Sequence, residues 1–493
     1  MSRKNGGIIG PANTPVGGLF KGVAGGVWRM NDVANFVGNS QWPSVPQSID
    51  NSCRFNSGST DHLDITFGSA GNRRTFTVSF WLKTTTKETY NTIFDSGADG
   101  SNSDDIYFHT GRLNFSGYYG STQFMLRTKA KYRDPSAWTH FVVAFDTTQS
   151  TASNRLKMYA NGTQITEFDD ETYPSQNFQT SYMNLDRLHN IGTLTDGDNF
   201  PLDGYLAEMV FIDGSALDPT SFGEFDSDSP NIWKPIDVTG LTFGTNGFYL
   251  DFENSSSLGA DQSGNSNDFT ARNLTSVDQS TDTCTNNFAT LNSLVKGNAS
   301  ITLSEGNLKG VFPGSWTAIP ATFGLTKGKW YFEAKNETSG QNAFIGVVTE
   351  NQDWDDSTPY DETTGVVLYG PGGRKTVDGT DTDGFFATLS SGQIVGVALD
   401  LDSSTKTIQF SVNGTDTPNS TPVDLPSTFD DVFIFPYFSG NSSSATSNWQ
   451  VNFGSPSYSI SSGNSDANGY GNFEYSVPSG FYSINTKNLA EFG

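Results

Sequence analysis

The sequence is poor in cysteine and in basic residues, and each shortage argues against particular classes of protein. Only Cys53 and Cys284 occur among 493 residues. We expect them to lie in different domains, so a disulfide framework is not indicated. Lysine and arginine number 28 against 53 aspartates and glutamates, a formal net charge of −25. Such an acidic surface repels phosphate groups, which argues against nucleic acid and anionic membrane surfaces as partners.

Long apolar runs are also missing. No stretch of 18 or more apolar residues is present, so we expect no membrane insertion. The first residues lack the continuous apolar core of a signal peptide, which predicts a protein made in a cytoplasm. The 4 histidines are scattered and none has a Cys or His at the spacing of zinc ligands. Because no phosphate-binding loop or nucleophile–base triad is visible either, we predict that the protein is not an enzyme.

What the sequence does contain is aromatic and turn-forming residues. Aromatic side chains make up 13% of the chain, and 52 residues are glycine. This composition suits short strands joined by tight turns, and therefore predicts an all-β fold. The length predicts two or three domains.

Residues 46–215 alternate with a period of two. The segment 75–83 has one apolar face and one face of Thr, Ser, Trp and Lys, which predicts a half-buried strand. A second strand, 138–146, leads through a polar loop into 156–160. Asn161-Gly162 follows, and this pair favours a type I′ hairpin turn because both residues tolerate positive φ.

Residues 293–493 repeat this strategy. An apolar strand ends at Asp400, a polar loop follows, and an alternating strand runs into Asn413-Gly414. Two such blocks, each large enough to bury its own core, predict two β-sandwiches. The segment 216–292 between them is loosely patterned, and we interpret it as a connector with little β-structure.

The two blocks resemble two known families. The first block resembles the laminin-G-like members of the concanavalin A superfamily, through residues 76–83, 138–162 and 204–212. The second block resembles the SPRY domain, through residues 328–333, 345–347, 400–414 and 451–454. The resemblance implies two concanavalin A-like antiparallel β-sandwiches (jelly rolls) in tandem, preceded by an extended N-terminal anchor segment.

The segment 1–45 differs from the rest of the chain. Up to residue 31 it has four basic residues and no acidic one, and its glycines and prolines predict an extended run. A flexible tail is one interpretation. We favour a segment that docks onto another protein through Trp28, Phe36 and Trp42, because a solvated tail has no use for two tryptophans.

The whole arrangement resembles structural proteins of tailed bacteriophages, particularly marine ones. The residues that carry this are the segments 26–28 and 41–43 and the connector run 261–265. The resemblance implies a virion component, such as a tail or head fibre, that is oligomeric in the particle, contacts other virion proteins through residues 1–45 and binds a host-surface glycan or protein. A purely structural decoration or adaptor protein is the alternative.

An acidic run raises a second alternative, a polysaccharide-cleaving enzyme. Glu167, Asp169 and Glu171 alternate, which would place them on one face of a strand, as in glycoside hydrolases that the concanavalin A fold supports. Asp170 would lie on the opposite face, and the run comes directly after the hairpin. We therefore interpret it as a solvated acidic loop.

Four aspartates form a possible calcium site. Asp95, Asp99, Asp104 and Asp105 cluster in a Gly/Ser/Asn-rich stretch, and carboxylates are suitable hard-oxygen ligands. The spacing matches no defined calcium loop, so a merely soluble loop is the preferred interpretation. No other cofactor is expected.

The second block offers a candidate recognition surface. By resemblance, SPRY domains bind partners through loops at one end of the sandwich. The corresponding residues are Trp354, Tyr360, Asp361, Tyr369 and Arg374, and aromatic residues among acids and an arginine suit a sugar or protein ligand. Core packing of Trp354 or Tyr369 is the competing interpretation.

Overall fold

The computed structural model describes residues 7–9, 27–29, 47–85, 90–99, 101–195, 199–227, 229–295, 301–312, 316–337, 342–354, 364–370, 373–386, 388–416, 422–441 and 447–493. The chain divides into two compact units, 1–48 and 49–493. In the first unit, β1 (Gly7–Ile9) pairs antiparallel with β2 (Val27–Arg29).

The strands that follow build the first sandwich and the segment after it. They are β3 Ser52–Phe55, β4 His62–Thr66, β5 Thr75–Thr84, β6 Tyr90–Asp99, β7 Asn102–His109, β8 Arg112–Tyr118, β9 Thr122–Thr128, β10 Thr139–Asp146, β11 Leu156–Ala160, β12 Thr163–Gln164, β13 Phe168–Thr172, β14 Leu188–Ile191, β15 Gly204–Asp213, β16 Gly223–Phe225, β17 Trp233–Pro235, β18 Phe248–Leu250, β19 Thr270–Arg272 and β20 Gln279–Ser280.

The remaining elements build the second sandwich. They are β21 Thr302–Ser304, β22 Lys309–Phe312, β23 Thr317–Pro320, β24 Lys329–Asn336, β25 Asn342–Thr349, β26 Gly365–Tyr369, β27 Arg374–Val377, β28 Thr380–Thr382, β29 Ile394–Asp400, β30 Thr407–Val412, β31 Thr415–Asp416, β32 Val423–Asp424, β33 Ile434–Asn441, β34 Ser447–Asn452, β35 Tyr482–Ser483 and the helix α1 Thr486–Phe492. Short 3-10 turns occur at Ser57–Ser59, Ala152–Asn154, Pro219–Ser221, Ser276–Asp278 and Ser427–Phe429. Among the described residues, no helix is long and apolar enough to cross a membrane.

Two antiparallel sheets form the first sandwich. Within the described residues, sheet A has the order β12-β11-β10-β5-β15-β3-β20, with β18 also paired to β15, and sheet B has the order β13-β9-β8-β7-β6-β14-β4-β19. Phenylalanines fill the space between the sheets: Phe76 of β5 contacts Phe115 of β8 edge to face, with ring centroids 6.3 Å apart. This apolar core confirms the prediction of a sandwich.

The second sandwich is built in the same way. Within the described residues, sheet C has the order β21-β22-β34-β24-β29-β30-β31, and sheet D has the order β23-β33-β25-β26-β27-β28. In sheet C, β32 also pairs with β30, and β35 pairs in parallel with β24. Phe332 of sheet C meets Phe438 of sheet D edge to face at 6.0 Å. The all-β prediction of two tandem sandwiches is thus confirmed.

The Asn-Gly turn is the same in both sandwiches. Asn161 and Gly162 have φ values of 45° and 75°, and Asn413 and Gly414 have 49° and 69°, as the predicted turn type requires. Each asparagine also accepts a hydrogen bond through its side-chain oxygen. The donors are the backbone N–H of His140, at 2.8 Å, and of Ile394, at 3.0 Å. The turn therefore fixes the start of the neighbouring strand in each sandwich.

The segment 216–292 contributes strands to the first sandwich as well as connecting it to the second. β18 pairs with β15, β19 with β4 and β20 with β3. The rest of the segment covers the outer face of sheet A, where a second apolar cluster includes Val142, Phe222 and Tyr249. We call residues 216–292 the covering segment.

This cover makes the half-buried prediction for β5 wrong. The face of Thr77, Ser79, Trp81 and Lys83, predicted to meet solvent, is buried along with the apolar face. Trp81 packs in one cluster with Trp233 of the covering segment. The covering segment has replaced water on the outer side of the strand.

Two fully buried cations of the first sandwich hold the covering segment, and Arg54 also reaches the second sandwich; we call these contacts the seam. Lys83 Nζ donates to Asp282 Oδ2 at 2.6 Å, to Asn287 Oδ1 at 2.7 Å and to the carbonyl of Phe288 at 2.9 Å. Arg54 pairs with Asp278 at 3.0 Å and donates to the carbonyl of Pro456 at 3.3 Å. Buried charges are tolerated only when paired in this way, so the seam is specific.

Candidate functional site

The outer face of sheet D carries aromatic side chains. Along β25, Ile345 and Val347 face the main core, while Phe344 and Val348 belong to a separate cluster on the other side of the sheet. This follows from the two-residue period of a strand. The second sandwich therefore presents an apolar cluster outside its core.

We call this cluster the aromatic face. Its rings contact one another in sequence: Trp316 lies 5.1 Å from Phe344, and Phe344 is stacked on Tyr369 at 4.6 Å. At the other end, the centroids of Trp354 and Tyr437 are 6.2 Å apart. Trp316, Trp354 and Tyr369 are half-buried, so each still presents part of its ring to solvent.

An arginine lies at the edge of the aromatic face. Arg374 faces Tyr369 across β26 and β27, and its guanidinium carbon lies 5.4 Å from the centre of the tyrosine ring. Two carboxylates hold it, Asp381 at 2.6 Å and Asp383 at 2.9 Å. The side chain is 34% exposed, so the carboxylates fix a planar donor group that can still reach a ligand.

The two described segments on either side of residues 355–363 are held together. Thr364 Oγ1 donates to Gln352 Oε1 at 2.6 Å, next to Trp354. Of the predicted recognition residues, the structure brings Trp354, Tyr369 and Arg374 to the same sheet face. Tyr360 and Asp361 lie outside the described residues. The competing interpretation was core packing of Trp354 or Tyr369. Both side chains do pack, but in the surface cluster and not in the main core.

Aromatic rings beside a fixed arginine define what the face can do. The rings can stack on the C–H face of a sugar or receive an apolar side chain, and Arg374 can donate to a carboxylate or hydroxyl. Among the described residues of the aromatic face, no nucleophile lies beside a base.

The four aspartates of the first sandwich do not form one loop site. They lie on the hairpin β6–β7, where Asp95 is paired across the strands with Asp105. Asp104 faces the other side of β7 and accepts from the backbone N–H of Tyr182 at 2.5 Å. Asp99 lies exposed at the hairpin tip.

The environments of these aspartates differ accordingly. Burial raises the pKa of Asp104 and of Asp105 to about 6, and burial beside Asp105 raises the pKa of Asp95. The backbone N–H of Ser101 and the Asn102 amide lower the pKa of Asp99. Among the described residues, no group of three or more His, Cys, Asp or Glu side chains could hold a metal ion. Strand alternation thus places Asp104 on the opposite face from Asp95 and Asp105. The soluble loop that we preferred is also wrong, because these residues lie on a β-hairpin in which Asp95 and Asp104 are buried.

The acidic run is an edge strand, not the loop that we interpreted. Glu167 precedes β13, which carries Asp169 and Glu171 at the edge of sheet B. Each carboxylate has a surface partner: Asp169 pairs with Arg112 at 2.8 Å, Glu167 with Lys129 at 3.7 Å, and Glu171 accepts from the Tyr173 hydroxyl at 2.9 Å. The run is therefore a solvent-exposed edge of sheet B whose carboxylates have partners on the surface.

A buried Ser–His contact was not predicted. His140 Nε2 lies 2.8 Å from Ser79 Oγ, while the indole N–H of Trp233 donates to His140 Nδ1 at 3.0 Å. Since Nδ1 accepts, Nε2 carries the proton and donates to the serine, which is the wrong direction for activating a nucleophile. Burial lowers the pKa of His140 to about 3. The contact is a buried polar tie between sheet A and the covering segment.

Sequence reasoning also missed members of the aromatic face. Trp316, Phe344 and Tyr437 were not singled out, and Phe344 lies in the run 343–348, where the sequence does not distinguish the two faces of the strand. Of the predicted docking residues, Trp28 lies in β2, and Phe36 and Trp42 lie outside the described residues.

Comparison with known proteins agrees with this architecture. Residues 57–220 match the family model of the concanavalin A-like lectin/glucanases superfamily, and residues 329–456 match that of the SPRY domain. No curated protein sequence matches the chain.

Solved structures similar to the chain include the SPRY domain of human HERC1, 14% identical, covering 33% of this chain and 96% of that one, with a TM-score of 0.27. A human SPRY domain is 14% identical and covers 29% and 90%, with a TM-score of 0.23. The heptameric SAP-like pentraxin of Limulus polyphemus is 18% identical and covers 35% and 80%, with a TM-score of 0.27. The two family models show one laminin-G-like and one SPRY-like β-sandwich in tandem.

Proposed function

We propose that this chain is a non-enzymatic virion structural protein, of the tail or head fibre type, that binds a host-surface glycan or protein. The second sandwich makes the contact through the aromatic face, and residues 1–45 attach the chain to the particle. The observation that carries the binding role is the half-buried row of Trp316, Tyr369 and Trp354 beside Arg374, which two carboxylates hold in place.

The virion role is supported by the sequence alone, through its resemblance to phage structural proteins. A purely structural decoration or adaptor protein is the second candidate, and the buried seam of Arg54 and Lys83 favours it. A polysaccharide-cleaving function gains no such support, because Glu167, Asp169 and Glu171 have surface partners.

Binding of the full chain to a glycan array and to host cells tests the proposal. We expect binding that Trp354→Ala reduces at least tenfold. Tyr119→Ala is the matched control, since Tyr119 is an aromatic residue of the first sandwich that is 63% exposed. If the parent protein binds neither cells nor glycans, adhesion is wrong and the decoration role remains.

Deletion of residues 1–45 tests the attachment. The unit 49–493 contains both sandwich cores, so we expect the shortened chain to fold but to be absent from particles. Incorporation at the normal level would contradict the docking role. Cleavage of a polysaccharide by the parent protein, lost in Glu167→Gln, would restore the enzymatic alternative.

A further inference from the structure

A cavity opens on the first sandwich between β5, β10 and the loop that joins β9 to β10. Its volume is about 660 Å³, within the usual range of ligand sites. The buried side chains of Leu82 and Phe141 form its floor, and both belong to the core between sheets A and B. The cavity therefore continues the core outward to solvent.

The loop between β9 and β10 forms the wall of this cavity, and backbone contacts hold the loop in place. The Tyr132 N–H donates to the carbonyl of Gly111 at 2.7 Å. The Tyr132 ring meets Phe141 edge to face at 4.8 Å, and Leu294, which is 47% exposed, lies among the lining residues. The half-buried tyrosine ring offers a flat apolar surface in a fixed position.

Two cations at the rim of the cavity have no acidic partner among the described residues. The preceding cations on this side of the sandwich are paired with the acidic run: Arg112 with Asp169, Arg127 with Asp170 and Lys129 with Glu167. Lys131 and Arg133, by contrast, are exposed, and no carboxylate lies within salt-bridge distance of either among the described parts of the chain. In a protein with a net charge of −25, such a rim is a local reversal of the field.

Hydrogen-bonding groups complete the lining. Asp134 follows Arg133 in the same loop, and the backbone N–H and the hydroxyl of Ser136 donate to its Oδ1 at 2.9 Å and 2.6 Å. This orients the carboxylate and leaves Oδ2 to accept from a ligand. Thr84 and Thr139 also line the cavity. Oriented acceptors and hydroxyls suit a ligand that is itself rich in hydroxyl groups.

We propose that this cavity binds a saccharide unit bearing a carboxylate, that is, a uronic acid. Its carboxylate pairs with Arg133 and Lys131, its hydroxyls donate to Asp134, and its C–H face packs on Tyr132. This inference rests on the proposal that the protein recognises surface glycans, but it places a second subsite on the first sandwich, remote in sequence from the aromatic face.

Calorimetric titration of the full chain with α-1,4-linked trigalacturonate tests the inference. The neutral probe is the methyl ester of the same trisaccharide, which keeps the rings and removes the charge. We expect the acid to bind at least about tenfold more tightly than the ester, because charge-assisted hydrogen bonds are lost in the ester. Equal affinities, or no binding of the acid, would overturn the proposal.

Variants locate the site. Arg133→Gln and Lys131→Gln, both at exposed positions, should each weaken trigalacturonate binding several-fold, whereas Lys327→Gln, an exposed lysine of the second sandwich, should leave it unchanged. Tripolyphosphate serves as an anion without sugar rings. If it displaces trigalacturonate at similar concentrations, the rim is a general anion patch and the proposal is wrong.

The two proposals fail separately. Loss of cell binding in Trp354→Ala concerns the aromatic face, and loss of uronate binding in Arg133→Gln concerns the cavity. A chain that binds cells but not trigalacturonate keeps the proposed function and loses this inference.

Discussion

The outer face of sheet A is covered by another part of the chain, whereas the outer face of sheet D keeps partly exposed aromatic side chains. Both belong to β-sandwiches with the same Asn-Gly hairpin, and both carry aromatic residues, Trp81 on sheet A and Phe344 on sheet D. The covering segment buries Trp81 beneath Trp233. On sheet D, a rim of aromatic side chains remains half-buried.

The two faces differ in where their polar groups find hydrogen-bond and ion-pair partners. Sheet A carries polar groups on its outer side, among them Lys83 and His140, and each finds a partner in the covering segment. Arg374, at the edge of the aromatic face, takes its partners from the neighbouring hairpin of its own sheet. Lys83 and His140 therefore need the covering segment, whereas Arg374 does not, and this contrast supports the proposal that the aromatic face binds a ligand.

Breaking the buried ion pair should have the largest effect. Lys83→Ala leaves Asp282 buried without its cation, so we expect the free energy of unfolding to fall by about 3–5 kcal/mol. Denaturant titration measures this. Lys327→Ala, which removes an exposed lysine, serves as the control and should change stability by less than about 0.5 kcal/mol.

The carboxyl of Glu208 makes the stability of the protein decrease as pH rises from 4.5 to about 8. Burial raises the pKa of its carboxyl to about 8, and both of its oxygens lie within 3.0 Å of the Tyr249 hydroxyl. Its contribution to stability is full below pH 4.5, the ordinary pKa, and is lost as pH rises to about 8. We expect Glu208→Gln to flatten the fall in stability over this range. An unchanged pH profile would mean that the carboxyl is ionised in the folded chain.

His140 makes stability depend on pH in the opposite direction. Its folded-state pKa is about 3, below the ordinary 6.5, so its contribution is full above pH 6.5 and is lost as pH falls toward 3. Gln can accept from Trp233 and donate to Ser79 without titrating. In His140→Gln the decline in stability between pH 6.5 and pH 5 should therefore be smaller than in the parent, as thermal unfolding can show.

The shared hairpins should respond alike and more weakly. Asn161→Ala and Asn413→Ala each place alanine at a positive φ, which costs about 1–2 kcal/mol. Similar losses in the two variants, by denaturant titration, would confirm that the turn has one role in both sandwiches. A loss confined to Asn161→Ala would show that the cover, not the turn, dominates there.

These contrasts also explain what the sequence could predict. The strand 75–84, the hairpin at Asn413-Gly414 and the two sandwiches follow from local alternation and turn chemistry. The burial of Lys83 does not, because its partner Asp282 lies 199 residues away and Thr, Ser and Lys on one strand face ordinarily indicate solvent. Trp354 and Tyr369 were predicted as recognition residues from their setting, whereas Phe344 was hidden in an apolar run where neither face stands out.

Binding of host cells by Trp354→Ala tests the account most directly. Trp354 is half-buried at the edge of the aromatic face, so its truncation should leave both sandwich cores folded, as circular dichroism can verify. The account predicts at least a tenfold loss of cell binding relative to Tyr119→Ala. Equal binding by the two variants would contradict the claim that the uncovered face of the second sandwich is the recognition surface.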